Sequence, residues 1–219
     1  MDNYTFTTFY IIAMEVFLAF TIIKILKFSK IKDKDITKAT IIFGSWLILV
    51  LYLFEGVKVL PEDISSITLF ITILLGVVLS GFFFYLLKDE FLSLPQEFLL
   101  LPQAFRMFFG AGFIIEAAFE IIPMNYGITD GVFHITTAFL SVTLAIYIAR
   151  GCKCLKSLVL VNLFGLLDIV VVASGISFMI LEEIGTDHNV FLAVFFAAPI
   201  FIWLHLFSLY KLTLNKNNL

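Results

Sequence analysis

Arg106, Gly110, Phe113, Ala117 and Glu120 fall at i, i+4, i+7, i+11 and i+14, with Glu116 one turn before Glu120. On a helix turning by about 100° per residue these positions form one stripe. A second stripe follows, with Asp130, His134, Thr137 and Ser141 at i, i+4, i+7 and i+11. A short connection between the two helices would bring Glu116, Glu120, Asp130 and His134 within reach of one another. Carboxylates crowded into a poorly hydrated site cannot all ionise cheaply, so such a site binds a cation or protons. These four are the candidates for a metal. The blander alternative leaves Glu120 and Asp130 in interfacial water and His134 as a satisfied structural side chain. A deeper group consists of Glu15, Asn162, Asp168 and His205. Arg106 suits an anion anchor there, with Asp168 as its counter-charge. The polar pocket is therefore assigned to Glu15, Arg106, Glu116, Glu120, Asn162, Asp168 and His205. It serves either as a ligand pocket or proton path, or as hydrogen bonds that lock helices together.

The elements that must position these groups follow from composition. Of 219 residues, 61% are apolar and 14% charged, against about 25% charged in a soluble domain. That leaves too little polar surface for a water-facing exterior, so lipid is the expected solvent. In hydrocarbon only helices and closed barrels satisfy their backbones. Apolar runs cover about 4–26, 39–58, 67–87, 103–122, 132–149, 157–181 and 190–210, each near the ~20 residues a spanning helix needs. The fold class is all-α, a seven-helix transmembrane bundle forming one domain over 1–219, and a nucleic-acid partner is excluded. Each ionisable group at membrane depth costs roughly 2.5–3.5 kcal/mol, so these residues should face the interior and find partners.

Twelve of the fourteen Lys and Arg fall in the first, third and fifth connections and the tail, leaving Lys58 on the other side and Arg106 within a span. The positive-inside rule then puts the N-terminus outside and the C-terminus in the cytoplasm. Met1-Asp2-Asn3 carries no basic cluster, so the first span is expected to stay rather than be cleaved as a signal. The apolar stretch 89–101 is too short to span and reads as an interfacial helix, and 123–131 reads as a tight turn. Gly76, Ser80 and Gly81 read as a close-packing face, and Pro199 as a hinge or kink in the last span. Cys152 and Cys154 fall in the cytoplasmic fifth connection, where inert thiols are expected.

Three segments carry a resemblance. Pro102-Gln103-Ala104-Phe105-Arg106 continuing to Pro123 and Asp130, then Asn162-Leu163-Phe164-Gly165-Leu166-Leu167-Asp168, then Pro199 through Leu204-His205-Leu206-Phe207-Ser208-Leu209 resemble an uncharacterised family of small bacterial multi-pass membrane proteins. The likeness covers about the C-terminal half and brings no known activity. It supports the choice of Arg106, Asn162, Asp168 and His205. At Thr129-Asp130 and at His134 the chain departs from the family's pattern, which has Gly-Asp and a small residue there.

The resemblance implies the bacterial inner membrane. The residues themselves leave three functions open: binding or transport of a small solute, ion or proton; a sensor, assembly or structural subunit acting through a membrane partner or a second copy; and an intramembrane metal-dependent enzyme. Haem and retinal are disfavoured. His134 and His205 read as roughly 15 Å apart in depth at 1.5 Å per residue, too far to share a haem, and Lys211 lies at a helix edge rather than mid-span, where a retinal lysine would sit.

Overall fold

The structure, a computed structural model, describes residues 1–216, with side chains through Leu214. Lys216, counted among the tail charges, therefore lies outside the described side chains. Helix accounts for 84% of the described residues, which contain no strand. Among the described residues seven helices are long and apolar enough to cross a membrane: α1 Asn3–Phe28, α2 Asp33–Gly56, α3 Ser66–Leu86, α4 Gln96–Ala118, α5 Met124–Ala149, α6 Leu155–Ile184 and α7 Val190–Leu214.

Contacts at the helix ends group the connections at the two ends of the bundle. Lys38, early in α2, donates to the Leu86 carbonyl and pairs with Glu90 at 3.4 Å. Lys211, late in α7, donates to the Leu94 carbonyl. These contacts tie the first connection, the third connection and the end of α7 to one end of the bundle. At the other end Lys58 pairs with Asp187 at 2.6 Å, and the Tyr4 hydroxyl donates to the Asp187 carbonyl at 2.8 Å.

Two expected boundaries move, and both moves shift functional residues. The stretch 89–101 is not one continuous helix. It divides at Leu94 and Pro95 into a short helix, Lys88–Ser93, and the first turns of α4, and Phe91, Leu94, Leu99 and Leu100 are fully buried. Pro95 caps one turn and Pro102 sits in the first turn of a 3-10 segment, positions where the missing N–H costs nothing. The chain thus passes two prolines without leaving the bundle, and Arg106 lies ten residues inside α4 rather than at its edge.

The turn expected at 123–131 is instead 119–123, with Glu120 at φ 59°, and α5 already begins at Met124. The glycines that suggested a turn are packing positions. A Cβ on Gly127 would lie 2.5 Å from the Ala117 Cβ, and one on Gly131 would lie 2.7 Å from the Gly110 carbonyl. Small residues let helix backbones close to this distance, so α4 and α5 form a tight antiparallel hairpin.

α7 is seated by α3. The Gly76 notch takes the Phe195 ring and the Gly81 notch takes Trp203, whose indole N–H reaches the Ser80 hydroxyl at 3.1 Å. Pro199 has no N–H for the Phe195 carbonyl one turn earlier, and the α7 helix breaks at Phe196, where φ is −116°. The Cys152 and Cys154 side chains meet across the turn between α5 and α6, where Gly151 takes φ 90°.

Candidate functional site

Arg106 is fully buried at the meeting of α4, α5, α6 and α7. Its Nη2 donates to Asp168 Oδ2 at 2.5 Å, its Nη1 donates to the Gly165 carbonyl at 2.9 Å, and its guanidinium lies 5.5 Å from the Phe201 ring centroid. A buried guanidinium is tolerated when its charge is matched; the two terminal nitrogens are engaged, while Nε has no partner. Asp168 completes the match by accepting from the Thr137 hydroxyl at 2.7 Å and meeting His134 Nδ1 at 3.0 and 3.1 Å.

Hydrogen-bond inventory fixes the proton positions. Arg106 Nη2 lies 3.4 Å from His134 Nδ1 but donates to Asp168 at shorter range; a carboxylate only accepts, so His134 Nδ1 carries the hydrogen toward Asp168 and Nε2 is left with its lone pair. Asn162 donates through Nδ2 to the Leu158 carbonyl at 2.7 Å and the Ser208 hydroxyl at 2.9 Å. Its Oδ1 therefore accepts from His205 Nδ1 at 2.8 Å, and His205 Nε2 is an acceptor 3.4 Å from Arg106 Nη1. The chain of groups runs Ser208, Asn162, His205, Arg106, Asp168, His134, and joins all four helices. Gly165 leaves the space for it, since a Cβ there would fall 2.2 Å from His205 Nε2.

One end of the network is open. His134 lines a cavity of about 40 Å³ between α4, α5, α6 and α7, whose other walls are apolar side chains including Phe109, Phe113, Val194, Ala197 and Phe201. Since Nδ1 is committed to Asp168, Nε2 is the nitrogen that remains for the cavity. The space exceeds the roughly 10–15 Å³ that one water needs, and Nε2 is the polar group that would meet it. An imidazole oriented by a carboxylate in this way can take up and return a proton. Arg106 already balances Asp168, so that proton would add net charge.

A family model described as a domain of unknown function, DUF8737, matches residues 64–213. The chain belongs to this family. No curated protein and no solved structure matches it. The DUF8737 stretch runs from just before α3 to the end of α7 and contains every member of the network. Glu15, on α1, lies outside it.

The other sequence candidates divide. Asn162, Asp168 and His205 converge with Arg106. His134 joins them, so the two histidines flank one guanidinium and are not 15 Å apart in depth. The earlier starts of α4 and α5 account for the difference. Glu15 is fully buried and neither carboxyl oxygen has a hydrogen-bond partner; it makes no bond to the network. Glu116 is buried toward the opposite end of α4, whereas Glu120 is exposed beyond the helix terminus. Asp130 is buried one turn before His134, with Oδ2 unpartnered.

The metal grouping of Glu116, Glu120, Asp130 and His134 is therefore corrected. Among the described residues no cluster of three or more His, Cys, Asp or Glu could hold a metal ion. Thr137, Gly165 and Ser208 complete the network without having been chosen as pocket residues. Their signal was spacing alone, three residues from His134, Asp168 and His205 respectively.

The loop between α6 and α7 adds His188. It is buried, with Nδ1 accepting from the Val190 N–H at 3.1 Å and Nε2 unpartnered. Burial pushes its pKa down to about 4. Between pH 6.5 and 4 the unfolded chain binds the proton that the folded chain refuses, so stability falls as pH drops through that window. Between pH 7 and 5 the loss should be about 2 kcal/mol, and His188→Gln should flatten it in thermal or denaturant unfolding. An identical pH slope in the variant contradicts this assignment.

Proposed function

We propose that the protein is a multi-pass membrane protein, N-terminus outside and C-terminus cytoplasmic, of the bacterial inner membrane. We further propose that it binds or moves a small solute or ion through the interior site at Arg106, Asp168 and His134. The observation that carries this reading is the open end of the network. His134 is held by Asp168 and is the one ionisable residue lining the apolar cavity. A purely structural ion pair needs no such opening. The cavity volume favours a proton, relayed by transient water, or a largely apolar solute of a few heavy atoms with one hydrogen-bonding group to meet Nε2. The twelve basic residues of the expected cytoplasmic side support the orientation.

Proton entry into proteoliposomes, followed with a lumenal pH dye under a potassium diffusion potential, tests the proposal. Wild-type protein should acidify the lumen at least about tenfold faster than His134→Gln, the cost of losing a positioned proton acceptor being typically 10²–10⁴-fold. Wild-type vesicles no faster than protein-free ones, or a His134→Gln variant as fast as wild type, would reject it.

A further inference from the structure

A groove of about 490 Å³ opens on the flank of the bundle between the last turns of α1 and the first turn of α4. Its apolar walls are Phe20, Ile25, Phe28 and Phe98, and its polar groups are Thr21, Lys24 and Lys27. Phe20, Lys24 and Phe28 follow one another at i, i+4 and i+8, which puts them on one face of α1. The Phe28 and Phe98 rings meet edge to face with centroids 5.7 Å apart, joining the two helices. Lys24 Nζ lies 4.9 Å from the Phe20 ring centroid.

Charge and apolar surface together set the occupant. Lys24 and Lys27 are exposed, and no Asp or Glu lines the groove. The ion pairs among the described residues involve Lys38, Lys58, Arg106 and His134 instead. The groove therefore offers two uncompensated positive charges. Phe20 and Phe28 are 54% and 77% exposed, so covering them with hydrocarbon is favourable. A free inorganic anion would match the lysines and leave the rings uncovered. A neutral lipid would cover the rings and leave the charges unmatched. A molecule with an anionic head and a hydrocarbon tail does both, and the volume lies in the roughly 300–1,000 Å³ range of single-molecule sites.

We propose that this groove binds one acidic phospholipid, its phosphate held by Lys24 and Lys27 and an acyl chain laid against Phe20, Ile25, Phe28 and Phe98. Lysines near the end of a span keep their stems along apolar surface while the ammonium reaches head-group level. Basic groups at the cytoplasmic edge of a span attract acidic head groups, and Lys24 and Lys27 begin the run that continues through Lys30, Lys32, Lys34 and Lys38. The site needs the chain to sit in a bilayer but does not depend on the role of His134.

Native mass spectrometry of the full-length protein in a neutral maltoside detergent, titrated with phosphatidylglycerol or phosphatidylcholine, tests this. Wild type should retain one phosphatidylglycerol under conditions where phosphatidylcholine is lost. Lys24→Gln combined with Lys27→Gln should raise the half-saturating phosphatidylglycerol concentration at least about tenfold, both attractions to the acidic head having been removed. Phe28→Ala should raise it at least about threefold through lost apolar contact. Lys153→Gln combined with Lys156→Gln removes the same charge from the fifth connection, outside the groove, and should leave binding within about twofold of wild type. Equal retention of the two lipids overturns the proposal, as does an equal effect of the two lysine pairs or a Phe28→Ala variant that binds like wild type. Displacement of phosphatidylglycerol by equimolar inorganic phosphate also overturns it, because the lysines would then be holding a free anion.

Discussion

Asp168→Leu should lower the stability of the protein by about 3–5 kcal/mol, the cost of leaving a buried charge without its counter-charge. Arg106 would retain the Gly165 carbonyl, the Phe201 ring and long contacts to His205 and His134, none of them a counter-charge, and the Thr137 hydroxyl and His134 Nδ1 would lose their acceptor. Arg106→Met should cost less. Asp168 keeps His134 and Thr137 as donors and can also take a proton, which a guanidinium cannot readily lose. Unfolding of both variants in mixed micelles, followed by circular dichroism, measures the order. Equal small losses for both would mean that the pair is not the anchor of the bundle interior.

Gly110→Ala should be the most damaging single-methyl change in the hairpin. The added Cβ would lie 2.5 Å from the Gly131 carbonyl oxygen, which is backbone and cannot swing aside, so α4 and α5 must separate. Overpacking of this kind costs about 1–3 kcal/mol. The separation would also carry His134, three residues beyond Gly131, away from Asp168. Both stability and proton entry should fall together. Gly44→Ala is the control, because a Cβ there meets nothing within 4 Å. It should be neutral or slightly stabilising, since Ala is a better helix former than Gly by up to about 1 kcal/mol. A Gly110→Ala variant as stable as Gly44→Ala would refute the close approach of the two backbones.

The seven helices were legible because a run of some twenty apolar residues has few other readings, and most boundaries shifted only slightly for that reason. The two larger shifts differ in kind. Pro95 and Pro102 suit first-turn positions on sequence alone, and the structure puts them at the start of helical turns without taking the chain out of the bundle. The glycines at 127 and 131, which make turns when judged locally, lie instead in a helix–helix seam. Sequence cannot show that seam without knowing which backbone lies opposite.

The consequence for the site was a wrong depth for Arg106 and His134. Asn162, Asp168 and His205 were recognisable by their cost at membrane depth, and the structure brings all three to Arg106. Glu15, equally costly, is buried without joining them. His188 escaped notice because it precedes α7 in a loop, where a polar residue raises no question until its burial is known.

A double-mutant cycle between Arg106→Met and Asp168→Leu tests most directly whether the membrane-depth charges form one mutually neutralising interior network. The account predicts strong coupling: the double variant, having no buried charge left unmatched, should be more stable than Asp168→Leu alone by about 2 kcal/mol or more. Losses that simply add, within about 0.5 kcal/mol, would contradict it.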